Sequence, residues 1–151
     1  MARLTVNEGA MQGWTDSITL TSNSFSGTSA GAETINYAVK KGDIVKDVLV
    51  NAKTAFAGVG TAVIDIGDGS DTDGYVDNQN VATTGVYYNT NGALFAASSD
   101  SQSGDVANGL NGHLRSADGN INITITTGSD GLADATAGEV EVKFCILRAE
   151  A

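Results

Sequence analysis

Apolar and polar residues alternate with a period of two along much of this chain, and that alternation predicts strands. The strictest case is residues 120–127, where Ile121, Ile123 and Ile125 share one face and Asn and Thr fill the other. In residues 139–147, Val140, Val142, Phe144 and Ile146 point one way while Glu139, Glu141 and Lys143 point the other. Cys145 and Leu147 break the polar face near its end, where a neighbour would cover it. Residues 17–25 set Ile18 and Leu20 against Ser and Thr, and residues 34–40 place Ile35, Tyr37 and Val39 on one face.

The best-ordered signals lie in residues 42–77. Over 44–53, Val48, Val50 and Ala52 fall on one face and Val45 and Leu49 on the other. Both faces of that strand are therefore expected to be covered, the outer one by a subunit contact or a loop. Ala57-Gly58-Val59-Gly60 is a turn, and residues 61–66 return with Ala62, Ile64 and Ile66 on one face, which predicts a hairpin. Residues 67–77 are an acidic loop, and residues 81–88 a further short strand. Residues 89–120 are the least patterned, with Ala93–Ala97 as an apolar island.

Residues 1–16 fit neither period and form an N-terminal arm or first strand; residues 17–151 form a single domain. The sum is an all-β, antiparallel β-sandwich of about eight strands. Jelly-roll and immunoglobulin-like arrangements both fit the pattern. The Cys–Trp–Cys framework of true immunoglobulin domains is absent, and the expected fold is jelly-roll-like.

Composition narrows the partners. Eighteen acidic residues against eight basic ones give a formal charge of −10, a field that repels nucleic-acid phosphates. No run approaches the roughly 20 apolar residues of a membrane helix, and MARLTVNEGA lacks the apolar centre of a signal peptide. Neither nucleic acid nor membrane is expected as a partner, and synthesis in the cytoplasm is. The single cysteine, Cys145, cannot form an intrachain disulfide.

The chemistry-bearing residues form no recognisable catalytic constellation. Asp65, Asp68, Asp71, Asp73 and Asp77 invite calcium, which wants several oxygens on a glycine-containing loop. Aligning Asp71, Asp73 and Gly74 with the EF-hand positions puts Gly69 at the first ligand and Asn80 at the twelfth, so the pattern fails. A solvated turn is expected instead. His113, the single histidine, is expected on an exposed loop, with no G-x-S-x-G elbow to serve. Cys145 is expected to be buried as a small apolar residue. Paired carboxylates abound by chance in so acidic a chain, whereas sugar-stacking aromatics are few: Trp14, Tyr75, Tyr87 and Tyr88. GVGTAV lacks the Lys-Ser/Thr of a phosphate-binding loop. No enzyme activity, cofactor or metal is expected.

Two stretches carry a resemblance: GDIVKDVLVNAKTAFAGVGTAVIDIGDGSDTDGYV (42–76) and INITITTGSDGLADATAGEVEVKFCIL (121–147). They resemble small virion proteins of tailed bacteriophages, in which a GD-I/V strand leads through TAF-x-G-x-GT to a strand ending in an acidic loop. In that family an ADLTAG-like turn precedes the final V-x-V strand; here the turn reads Ala133-Asp134-Ala135-Thr136-Ala137-Gly138, with Ala135 at the usual apolar position.

The resemblance implies a jelly-roll capsid decoration, or cement, protein that binds the outer capsid surface as a homotrimer. Its implied partners are the major capsid protein and its own copies. The arm residues Leu4, Val6, Met11 and Trp14 are the expected capsid-binding group. The alternative is a receptor- or glycan-binding module of a head or tail fibre, reading its ligand through the loop 89–120 with Tyr87, Tyr88 and Phe95.

Overall fold

The structure, a computed structural model, describes residues 13–88, 106–108 and 112–149. Ten strands follow in order among them: β1 (Asp16–Thr21), β2 (Ala32–Val39), β3 (Ile44–Ala57), β4 (Ala62–Gly67), β5 (Val76–Asn80), β6 (Gly85–Tyr88), β7 (Val106–Asn108), β8 (Gly112–Leu114), β9 (Gly119–Thr127) and β10 (Ala137–Leu147). Two short 3-10 turns, Ser22–Ser24 and Leu132–Asp134, complete the set.

The strands form two antiparallel sheets packed face to face. One runs β1-β10-β3-β8-β7, with β6 also paired to β3; the other runs β2-β9-β4-β5. Leaving out β6 and β7, the eight remaining strands pair as a long hairpin would: first with last (β1-β10), second with seventh (β2-β9), third with sixth (β3-β8) and fourth with fifth (β4-β5). Rolling that hairpin adds β10-β3 and β9-β4, which completes the jelly-roll order. The expected all-β sandwich is thus the observed one, with the two short extra strands inserted between β5 and β8.

Between the sheets, Val48, Val50 and Ala52 of β3 and Val140, Val142 and Phe144 of β10 meet Ile64 and Ile66 of β4 and Ile121, Ile123 and Ile125 of β9. All eleven are essentially removed from water, and at about 25 cal/mol per Å² such burial is the main force holding the layers together.

Several local expectations change. β3 and β4 do not form a hairpin, because they lie in different sheets. The turn between them is an arch: Gly58 (φ 86°) and Gly60 (φ 73°) take left-handed backbone, and Val59 between them is fully buried. Val45 does not face outward. A register shift between Cys145 and Ile146 rotates it into the core opposite Ile146, while Leu49, opposite Lys143, is buried outside the core cluster.

The strand expected over 17–25 ends at Thr21 in a 3-10 turn. That expected over 81–88 is Gly85–Tyr88, and the end of the expected acidic loop, Val76 and Asp77, opens a strand, Val76–Asn80. The unpatterned stretch contains β7 and β8, while its apolar island lies outside the described residues.

Candidate interaction surfaces

The two ends of the described chain meet at one corner of the sandwich. Thr15 extends β1 by donating its N–H to the Phe144 carbonyl at 2.8 Å, and its hydroxyl accepts from the Ile146 N–H at 2.9 Å. This fixes Trp14, which is half-buried, beside the end of β10. After β10, Arg148 donates to Asp43 (2.8 Å) and Asp16 (3.0 Å), and the Ala149 N–H donates to Asp43 (2.9 Å). Asp43 also accepts from the Lys40 N–H at 2.9 Å, and Asp16 from the Tyr37 hydroxyl at 2.6 Å. The cluster ties β1, β2, the β2–β3 turn and the segment after β10 into one unit.

Burial pushes both carboxyls up, but the bonds they accept outweigh it. The Tyr37 and Thr15 hydroxyls and Arg148 hold Asp16 below the usual carboxylate range; the Lys40 and Ala149 N–H groups and Arg148 do so for Asp43.

The same corner carries an apolar row on the outer face of the six-stranded sheet. Leu147, Ile44 and Leu114 stand directly opposite one another on β10, β3 and β8. Leu147 is 44% exposed and Leu114 40%, and Ile44 is half-buried. Farther along that face the surface is charged: Lys53 lies 2.9 Å from Glu141 and 3.7 Å from Glu139, and Lys143 lies 3.7 Å from Glu141. These pairs are exposed enough that salt screens them.

The outer face of the four-stranded sheet is different. Its rows read Ala32–Thr126–Val63, Thr34–Thr124–Asp65 and Asn36–Asn122–Gly67. The Thr34 and Thr124 hydroxyls bond at 2.8 Å. Asp65 is the one charge in these rows. Burial and the charges of Asp73 and Asp77 raise its pKa, against the lowering effect of the Asn78 N–H bonded to it at 2.6 Å.

The acidic loop is built around a buried ion pair rather than a solvated turn. Asp68 is 1% exposed. Its Oδ1 accepts from the Ser70 N–H and hydroxyl (both 2.8 Å) and from the Asp71 N–H (2.9 Å), and its Oδ2 is paired with Arg115. Burial raises the Asp68 carboxyl, but Ser70, Asp71 and Arg115 together hold it below the usual range. Gly67 permits the loop's return, since a Cβ there would sit 1.9 Å from the Asp71 carbonyl oxygen. The loop ends at Tyr75, fully buried, whose hydroxyl shares a 2.5 Å hydrogen bond with His113 Nδ1.

His113 is therefore a core residue, contrary to the exposed position expected for it: β8 pairs it with Val45 and sets the ring against Tyr75. Asp73 and Asp77 stay exposed, and no cluster able to hold a metal ion occurs among the described residues. Cys145 is half-buried on the outward side of β10, where burial and the neighbouring Asp47 raise its thiol pKa.

Of the four residues expected to bind a capsid, Trp14 is placed at the terminal corner; Leu4, Val6 and Met11 lie outside the described residues. Sequence reasoning missed Arg115, Tyr75, Asp43 and Arg148 as structural partners. The available signal was the isolation of Arg115 in an uncharged stretch and the recurrence of Gly-Asp at residues 42–43 and 67–68.

No family model and no curated protein matches the chain. Among solved structures, it is similar to a chain of the cyanophage Pam1 capsid asymmetric unit. The TM-score is 0.50 at 18% identity, over 85% of this chain and 79% of that one. The two chains share a fold.

Proposed function

We propose that this chain is a structural protein of a phage virion that binds the outer surface of the capsid and stabilises it as a decoration protein, working as a homotrimer. The observation that carries the reading is the fold it shares with a chain of a phage capsid, over most of its length. The acidic surface fits a protein that stays soluble until it docks and has no business with the packaged genome. The role is binding, with no catalytic step.

The docking end is the terminal corner. Trp14 and the row Leu147–Ile44–Leu114 supply apolar area there, and the segment bearing Leu4, Val6 and Met11 leaves from it. The charged and Thr/Asn faces remain toward solvent. Each added contact must be broken before the shell opens, so binding raises the stability of the capsid by mass action.

The test is reconstitution. Purified protein is mixed with capsids lacking it, and particles are recovered by sedimentation. Saturable binding that raises the temperature at which capsids release DNA supports the reading; full-length protein that stays in the supernatant overturns it. Deleting residues 2–12 or replacing Leu114 and Leu147 by Ser should lower occupancy while the fold is retained.

A further inference from the structure

The sheet edges of this molecule are not equally protected. An edge strand presents unpaired N–H and C=O groups that another strand can use, and proteins blunt such edges with irregularity, brevity, Lys or Pro. β5 is blunted: its pairing with β4 is irregular between Ile64 and Ile66, and Asn78 takes a left-handed φ of 51°. β7 has three residues and β6 four. β2 is the most regular of these edges, and its one charge, Glu33, is tied to the Ser26–Gly27 backbone at one end. Its eight residues pair with β9 in unbroken register, contain no Lys or Pro, and pair with no other strand among the described residues.

Beside it lies β1, the edge of the other sheet, and the seam between them holds Ile18, Ile35 and Tyr37, each only partly buried against the core. The seam is closed at one end by Tyr37 on Asp16. At the other, Glu33 accepts the N–H groups of Ser26 and Gly27 at 3.1 and 3.0 Å.

The chain before Gly13 contains one segment suited to that edge. Arg3-Leu4-Thr5-Val6-Asn7 alternates at strand period, with Leu4 and Val6 on one face. It joins the domain at the Tyr37 end of the seam, because Asp16 contacts Tyr37. β1 then runs away from that end while β2 runs toward it. Folded straight back on its own domain, the segment would run parallel to β2; delivered from a different copy it runs antiparallel, the pairing of every other strand in the sheet. Residues 8–13 reach roughly 20 Å when extended, enough to cross to an adjoining subunit.

We propose that residues 3–7 of one copy add as an antiparallel strand to the β2 edge of the next, with Leu4 and Val6 closing the seam over Ile18 and Ile35. The exchange passes head to tail round a closed ring, so each subunit both gives and receives a strand. It deepens the proposed homotrimer and rests on that reading. It also divides the arm: Leu4 and Val6 serve the neighbouring copy, leaving Met11 and Trp14 for the capsid.

The experiment uses full-length chains in a Cys145→Ser background. Thr5→Cys in one chain and Asn36→Cys in another are mixed and oxidised, both positions lying on the face away from the seam. The proposal expects an interchain disulfide between the two variants and none when Asn36→Cys is replaced by Val63→Cys on β4. It also expects Leu4→Ser/Val6→Ser to lose the oligomer, leaving monomer mass with an intact sandwich. No interchain bond, a bond formed within one chain carrying both cysteines, or an unchanged oligomer in Leu4→Ser/Val6→Ser overturns it. Capsid binding by the wild-type protein is scored separately, so loss of the strand exchange and loss of the virion role are distinguishable.

Discussion

His113 Nδ1 lies 2.5 Å from the Tyr75 hydroxyl, and both side chains are fully buried. That bond joins the end of the 68–75 loop to β8, a strand of only three residues. Removing the hydroxyl takes away a buried partner without changing the ring's volume. Tyr75→Phe is expected to destabilise the domain by about 1–3 kcal/mol. Thermal unfolding of the two proteins checks it; an unchanged midpoint would show that the bond contributes nothing.

Asp68 and Arg115 make the second tie between the same loop and the chain after β8. Removing one partner of such a pair strands the other charge in a poorly solvated site. Arg115→Met is expected to cost about 3–5 kcal/mol, and Arg115→Met with Asp68→Asn appreciably less than the sum of the singles. Chemical denaturation of the four proteins gives the coupling directly, and strict additivity would contradict the assignment.

Acid should act through Asp68, Asp43 and Asp16, whose carboxyls sit below the usual range in the folded protein. A lowered folded-state pKa contributes stability that is complete above the unfolded value of about 3.9 and is lost as pH falls through the folded value. The melting temperature should therefore hold between neutrality and about pH 5 and fall below about pH 4. Asp65 has the opposite sign, since its folded pKa is raised. Asp65→Asn, which retains an acceptor for the Asn78 N–H, should raise the melting temperature at pH 7, and the gain should vanish in acid.

Gly67 tests the loop's backbone. With a Cβ, its nearest neighbours would be the Asp71 carbonyl oxygen at 1.9 Å and the Thr72 carbonyl carbon at 2.4 Å, neither of which can rotate away. Gly67→Ala should displace the loop and with it Tyr75, lowering stability by at least about 2 kcal/mol. Gly69, with nothing within 4 Å, is the control: Gly69→Ala should be near neutral. Equal effects at the two positions would contradict the packing described.

The layers were legible because a strand facing a core must alternate, as β9 does without a break and β10 does as far as Phe144. What alternation lacks is partner identity. β3 and β4 read as a hairpin since each has the right face and a glycine turn lies between them, but Val59 plugs the core and sends the chain to the opposite sheet. β5 was hidden because Val76 is its sole buried residue and Asp77, Asn78 and Asn80 read as loop. His113 was misplaced for a related reason: among Asn, Gly and Ser its surroundings look solvated, while Tyr75, which bonds it in the core, is distant in sequence. The candidate site was less legible still. Trp14 marked the terminal corner, whereas the row Leu147–Ile44–Leu114 joins residues far apart in sequence and exists only once β10, β3 and β8 are side by side.

The most direct measurement of the proposed role is the stoichiometry of this protein in phage particles purified from cells that carry its gene, by quantitative mass spectrometry against the major capsid protein. The account expects a copy number in fixed proportion to the capsid lattice, of the same order as the major capsid protein itself. A protein absent from the particle, or present only at the few copies of a tail fibre, would contradict it.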